Sequence, residues 1–517
     1  MTGPAPAPDP SSGDRGVVVG GLWRVAATLL PMVSALGLSV TVSRVLGPEA
    51  LGLQSLLSYL QGFVLNVFVL SLTQAGIQLL SSARGRGDED ALHWLRRWSL
   101  QVHAVVGLVL AALLLGVGGL REESMLLWAV IAATALVDAL SYALTVRVVT
   151  YDGWGRVSRR RLVSQGVGPL LGIAAVLGGL GVTGVFVGQA VGSAYLLVAL
   201  LVLQRRVPRT RGGGPRPAVG PVARLWLGFV VTLVLTQVVE RRVELVFLDW
   251  LSTQREVGLF SAAFTLVSVA VAATAAVTGA ALPAVARSSA AGRDERLQGV
   301  LGHALRVLAV GTPVLVAGLL ALGPVALLAL YGGDFGPSGP LLQGLSLVLV
   351  GAPVAGAMAA LHLGTGRVGV VVRGGLAAAA VDVGLCLALI PGLDAAGAVV
   401  AAVAAQLTYA VALLLPARRQ AAVASLRPGL LGRPLLVAVL AGTAAAVPAL
   451  LLAPWPGLVG GALVFAVVAA VAAVLVRPLR ADDARWLSGV LPGPAGRAVV
   501  RLGARPGGTD GPDGGRR

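Results

Sequence analysis

From about Leu22 to Val476 the chain repeats one pattern, an apolar run of about 20 residues closed by a short block that usually carries arginine. Inside a bilayer no water is available to bond free backbone N–H and C=O groups, so such runs can cross only as helices or as closed barrels. The runs are too long and too uniformly apolar for barrel strands. The sequence therefore predicts an all-α integral membrane protein. Of 517 residues, 56% are hydrophobic and 12% charged, with a mean hydropathy of +0.86. Because that hydropathy is spread along the chain, a soluble enzyme tethered by a single anchor is excluded. Windows of about 19 residues place spans near 22–43, 51–72, 98–120, 124–146, 162–180, 182–203, 225–248, 257–282, 303–322, 340–361, 370–390, 396–415, 434–452 and 457–476. This is about 14 transmembrane helices.

The 40 basic residues are all arginine, and with 23 acidic residues they give a net charge of +17. A balance this basic raises the question of nucleic acid, but the arginines sit in blocks between apolar runs, where membrane topology explains them. Threaded through fourteen spans, 33 of the 40 fall on one side of the membrane, and only Arg44, Arg121 and Arg255 fall on the other. Arg147, Arg241, Arg242 and Arg306 lie within or at the edge of spans. The excess marks the cytoplasmic side, so both termini are expected there. No nucleic-acid partner is expected. Residues 1–20 are rich in Pro, Gly and Ser and carry no basic region before a short apolar core, so no signal peptide is expected. The single cysteine, Cys386, excludes an internal disulfide and a cysteine metal cluster.

An internal repeat organises the chain. Leu51-Gly52-Leu53-Gln54-Ser55 returns as Val257-Gly258-Leu259-Phe260-Ser261 at an offset of 206 residues, each opening an even-numbered span. Gly184, Gln189 and Tyr195 are echoed with looser spacing by Gly397, Gln406 and Tyr409. Six spans per half is an even number, so both halves enter the membrane in the same direction. That is the parallel repeat with a pseudo-twofold axis normal to the membrane. The expected organisation is a disordered cytoplasmic tail over 1–20, a six-helix half over 21–204 and a cytoplasmic linker over 205–224. A second six-helix half follows over 225–417, then two extra C-terminal helices over 418–477 and a largely disordered cytoplasmic tail over 478–517.

Several stretches also carry a family likeness. They are Val42-Ser43-Arg44-Val45-Leu46-Gly47-Pro48-Glu49 after the first span, Ser71-Leu72-Thr73-Gln74-Ala75-Gly76-Ile77 at the end of the second, and Gln237 to Glu244 followed by Val257 to Ala263. Leu330 to Phe335, Leu363-Gly364 and Asp382 through Ile390-Pro391-Gly392 to Ala398 continue the series in order. Together, over roughly residues 20–420, they resemble the polysaccharide flippases of the multidrug/oligosaccharidyl-lipid/polysaccharide exporter superfamily. The chain departs from that pattern in having Glu244 where the family often has Asp, Phe260 for Tyr, Gln78 where Arg is common and Asp382 where Asn is usual. Lipid II flippases of the same superfamily share a count of fourteen helices.

Charges inside spans are expensive and normally face a cavity or a partner. Gln237, Glu240, Arg241 and Glu244 share one face of a continuous helix, while Arg242 points away from Glu244. This cluster either lines a cavity and holds phosphate through the planar arginine fork, or forms an Arg241–Glu244 pair at the interface with Arg242 snorkelling to headgroups. Asp138 and Asp382 are lone carboxylates in apolar sequence, each either a packing group or a proton or cation site. His303 and His362 read as interfacial residues, and Trp23, Trp98, Trp128, Trp250 and Trp455 as an aromatic belt. With the resemblance, the expected substrate-binding residues are Arg44, Gln74, Arg241 and Arg242. The expected ion-coupling residues are Glu240, Glu244, Asp138 and Asp382.

The resemblance implies a flippase that moves a polyprenyl-pyrophosphate-linked oligosaccharide across the bacterial cytoplasmic membrane by alternating access. It implies no bound cofactor or metal, and coupling to H+, Na+ or the membrane potential. A monomer is expected, with a polysaccharide polymerase and glycosyltransferases as functional partners. The alternatives are a lipid II flippase, a multidrug or cation antiporter, and a polyprenyl-dependent glycosyltransferase or polymerase. The last is disfavoured because the predicted external connections are short and no Asp-x-Asp or nucleotide-cradling glycine loop is present. The arginine partition predicts that reporter fusions after residues 215 and 480 report from the cytoplasm, and an external signal at either position would break this threading.

Overall fold

The computed structural model describes residues 10–121, 123–208, 219–240, 243–290, 294–418 and 431–490. Residues 209–218 of the expected joint, 1–9 of the expected N-terminal tail and 491–517 of the expected C-terminal tail fall outside these residues, whereas 10–20 and 481–490 of the expected tails are helical. Contacts divide the chain into two compact units, Met1–Gln237 and Val238–Arg517.

In the first unit, α1 (Pro10–Val64) is a pair of helices joined by a turn at Gly47, whose φ of 86° and ψ of −177° suit glycine alone. A π-helical turn at Leu65–Leu70 leads into α2 (Ser71–Gly85). Asp88 caps α3 (Glu89–Gly118) by accepting from the Ala91 amide at 2.9 Å. Ser124 similarly precedes α4 (Met125–Asp152). α5 (Trp154–Ala175) passes through Val176–Leu180 into α6 (Gly181–Gln204), and α7 (Val219–Glu240) follows. α5 packs along α6, α4 lies against both α3 and α6, and α1 runs beside α5. A Cβ on Gly188 would stand 2.2 Å from the Gly172 nitrogen, so α5 and α6 meet backbone to backbone.

The second unit begins with the short α8 (Glu244–Leu251), then α9 (Gln254–Ala290) and α10 (Asp294–Tyr331). α11 (Ser338–Leu345), α12 (Val348–Gly364) and α13 (Val368–Leu414) follow, with α13 broken at Asp394. The chain closes with α14 (Gly432–Leu451), α15 (Pro454–Val476) and α16 (Ala481–Val490). α10 is the hub of this unit, touching α9, α11, α12, α14, α15 and α16. The two helices expected beyond the repeat are α14 and α15, which pair with each other and lie on α10, with Gly318 under the Phe465 ring.

Ten segments among the described residues are long and apolar enough to cross a membrane. Three of them, Met32–Gly85, Trp154–Gln204 and Val368–Ala417, are 54, 51 and 50 residues long. A bilayer core takes about 20 helical residues, so each of the three has the length of two crossings. Counted as continuous apolar segments among the described residues, the ten are fewer than the fourteen expected spans.

The breaks carry the repeat. Gly181 has φ 56° and ψ −148°, and Asp394 has φ 49° and ψ −131°. Three residues beyond each stands a glycine pressed on the preceding helix. A Cβ on Gly184 would lie 2.9 Å from the Ala175 carbonyl carbon, and one on Gly397 would lie 2.7 Å from that of Leu389. Asp394 is held in this left-handed conformation by Ser252, whose hydroxyl donates to its carboxylate at 2.6 Å. The Leu51 and Val257 motifs also occupy similar settings, four residues past the Gly47 turn and five past the Ser252 turn, with Leu51 and Val257 fully buried.

Two sequence expectations are corrected. Trp128 is buried rather than belted, because the tight turn between α3 and α4 folds its indole over Gly118. His362 is likewise buried rather than interfacial, and its Nε2 bonds the Leu413 carbonyl at 2.9 Å. Trp250 and Trp455 are exposed, as a belt requires.

Gly184→Val and Gly397→Val should each destabilise the fold by about 1–3 kcal/mol or more through overpacking. Asp394→Gly should stay within about 1 kcal/mol of the parent, since relief of left-handed strain offsets the lost hydrogen bond. Thermal unfolding of the detergent-purified variants checks both outcomes.

Candidate functional site

Within the first unit, polar side chains gather at two places among otherwise apolar helices. Asp138 on α4 accepts a hydrogen bond from Ser193 on α6 and lies within electrostatic reach of Arg161 on α5. Arg161 stacks over the Tyr142 ring, one turn beyond Asp138, at 4.9 Å. Three helices thus converge on one carboxylate and one guanidinium. Asp138, alone in the sequence, is not alone in the fold.

The second gathering is centred on His103 of α3, which is 0% exposed. Its Nδ1 lies 2.6 Å from the Ser99 carbonyl, so that nitrogen carries a proton and donates. Its Nε2 meets the Thr73 hydroxyl of α2 at 3.1 Å. Thr73 also donates to the Val69 carbonyl at 2.8 Å, and one hydroxyl proton cannot serve both. A neutral His103 therefore accepts from the Thr73 hydroxyl only when that proton leaves the Val69 carbonyl. Arg147 of α4 is within electrostatic reach of this histidine and donates to the Arg96 carbonyl at 2.6 Å.

In the second unit, Glu244 opens α8 and is 5% exposed, while Asp382 on α13 is 1% exposed. Cys386 donates to Asp382 at 3.7 Å and feels the charge of both carboxylates. Two acidic side chains from different helices are therefore brought to one buried place. At the N-terminal end of α10, Asp483 from α16 receives the Arg306 guanidinium side-on, with contacts of 2.8 to 3.0 Å. His303 Nδ1 lies 2.5 Å from the same carboxylate, and Trp486 stacks on the imidazole. This pins the C-terminal amphipathic helix to α10.

The other expected residues are placed as follows. Arg44 is exposed, three residues before the Gly47 turn, and Gln74 is exposed on α2. Arg241 and Arg242 lie outside the described residues. Glu240 ends α7 and its side chain is likewise outside them. The helix is described in two pieces, α7 ending at Glu240 and α8 starting at Glu244. The shared face expected for Gln237, Glu240, Arg241 and Glu244 runs through Arg241 and Arg242 and so lies outside the described residues. Sequence reasoning missed His103 altogether and counted Arg161 with the loop arginines. The cost of ionisable groups inside spans would have marked His103, with Ser99 one helical turn before it.

These features define a multi-pass membrane protein whose buried charges are arranged between helices, as in transporter folds. A family model described as polysaccharide biosynthesis protein matches residues 41–340, more than half of the chain. The chain belongs to that family. No curated protein matches it in sequence. Among solved structures it is similar to a lipid II flippase, MurJ, in an inward closed conformation, at a TM-score of 0.70 and 13% identity, covering 87% of this chain and 97% of that one. A multidrug resistance MATE family transporter of the MOP superfamily, inward-facing, matches at 0.62 and 16% identity, over 78% of this chain and 99% of that one. The eukaryotic MATE transporter AtDTX14 matches at 0.54 and 16% identity, over 77% and 94%. At these identities the likeness is one of fold, and the fold is that of MurJ and the MATE transporters.

Asp483→Ala removes the acceptor that holds Arg306, and breaking a buried pair in this way costs about 3–5 kcal/mol. We expect a lower midpoint of thermal unfolding and new proteolytic cleavage ahead of α16, read by limited proteolysis of purified protein.

Proposed function

We propose that the chain is a flippase that moves a polyprenyl-pyrophosphate-linked oligosaccharide from the inner to the outer leaflet of the bacterial cytoplasmic membrane. The observation that carries this is the polysaccharide biosynthesis family match over residues 41–340 on a fold shared with a lipid II flippase. Reading each broken segment as two crossings, and α7 with α8 as one more, gives the fourteen spans we propose, with both termini cytoplasmic. The reading makes the protein a transporter rather than an enzyme. It works on a lipid-linked substrate, and a polymerase and glycosyltransferases act before and after it.

Carrying a pyrophosphate through a medium of low dielectric needs cationic compensation, and release needs that compensation to weaken in the alternate state. We assign the first role to Arg44 with Arg241 or Arg242, and Gln74 contributes a neutral hydrogen bond. The second falls to the acidic groups Glu240, Glu244, Asp138 and Asp382, whose protonation or cation binding alters the local field. The placement of Asp138 beside Arg161, and of Glu244 beside Asp382, supports such linkage. Lipid II is the second reading, favoured by the 97% of the MurJ chain that the likeness covers. Genetic complementation separates the two, since a lipid II flippase restores growth to cells depleted of theirs and an oligosaccharide flippase restores surface polysaccharide only.

Arg44→Ala should abolish surface polysaccharide in a flippase-null host while the protein still inserts. Arg44→Lys should restore it only in part, because an ammonium lacks the planar fork. Full export by the combined Arg44, Arg241 and Arg242 alanine variant would refute the phosphate-binding role.

A further inference from the structure

A cavity lies between side chains of α5 and α6. The helices are locked together from Gly172 against Gly188 to Ser164, whose hydroxyl donates to the Gly192 carbonyl at 2.7 Å. Immediately beyond that bond lies a cavity of about 580 Å3, within the range of small-molecule sites. Arg156, Arg159 and Arg160 of α5 and Arg206 just past α6 line it, together with Tyr195 and apolar side chains such as Val198.

Two distances locate it. Arg159 and the Gly179 turn are 20 residues apart on the α5 side, about 30 Å of helix, which is one hydrocarbon thickness. The arginines thus stand at one membrane interface when the turn stands at the other. Along α6, Tyr195 and Arg206 are 11 residues apart, about 16 Å, the depth of a single leaflet. The cavity is cationic at the level of headgroups and apolar at the level of chains. Membrane topology explains why arginines sit in this connection. It does not require three from one helix and one from the next to line the same cavity, above an apolar wall.

We infer that this cavity holds the phosphate headgroup of an anionic phospholipid of the surrounding membrane, with guanidinium groups on the phosphodiester and an acyl chain against the α6 wall. The site is separate from the substrate path proposed above and stands or falls independently of it. Anchored there, the lipid bridges α5 and α6, the same helices that position Arg161 and Ser193 around Asp138.

Native mass spectrometry of the full chain, released from detergent with added phosphatidylglycerol or phosphatidylcholine, tests this directly. The parent should retain phosphatidylglycerol at least about tenfold better than phosphatidylcholine. The R156Q/R159Q/R160Q/R206Q variant should lose that preference. A charge-matched control, R367Q/R373Q/R418Q/R433Q, should keep it, as should the parent's thermal stabilisation by phosphatidylglycerol. The quadruple lysine variant at the cavity should retain the lipid more weakly than the parent. Equal retention of the two lipids by the parent overturns the inference whatever the variants do. So does equal loss in both quadruple glutamine variants, which would indicate net charge alone. Retention of undecaprenyl pyrophosphate but not phosphatidylglycerol would instead make the cavity part of the substrate path.

Discussion

A backbone amide or carbonyl left without a partner in hydrocarbon costs several kcal/mol, and that constraint decides where this chain can turn. Helical bonding has to persist until water is reached and has to resume almost at once on return. The three long segments meet it by turning within one to three residues, at Gly47, at Gly179 to Gly181 and at Asp394. Gly47, Gly179, Gly181 and Asp394 each have a positive φ, which turns the chain in a short length. Two of the turns use glycine, and the third holds aspartate there with the Ser252 hydroxyl.

The same constraint sorts the polar side chains. Many hydroxyls in the spans bond the carbonyl one turn back in their own helix, as Thr134, Thr145, Thr150, Thr265 and Thr443 do. Such residues need nothing from a neighbouring helix and constrain packing little. Asp138, His103, Glu244 and Asp382 differ, because ionisable groups are too costly to be satisfied locally. Each is found where a second helix brings a partner or another charge. Their positions therefore follow from helix pairing and cannot be moved along the chain without it.

This explains which parts of the molecule were legible in the sequence. The positions of the spans follow from apolar runs, and the repeat from glycine-bearing motifs at turns, since both are properties of consecutive residues. The sides of the helices were not legible. A helix apolar all round has no stripe to say which face is inside, so Trp128 and His362 were read as interfacial although they are buried. Arg161 was read as one of a block because its neighbours in sequence are arginines, whereas its neighbours in space are Tyr142 and Asp138.

The two units repeat backbone geometry and diverge in charge. Gly181 with Gly184 and Asp394 with Gly397 place the same turn and the same close approach in each. Around that common frame, the first unit sets a carboxylate with an arginine and a tyrosine, and the second sets two carboxylates beside a thiol. The turns answer to the bilayer, which presents both units with the same problem and leaves few solutions. The buried charges answer to no such demand, since apolar residues in their places would satisfy the membrane better. Chemistry that differs around one recurring turn, at an energetic cost the fold does not impose, is what the proposed transport would act through.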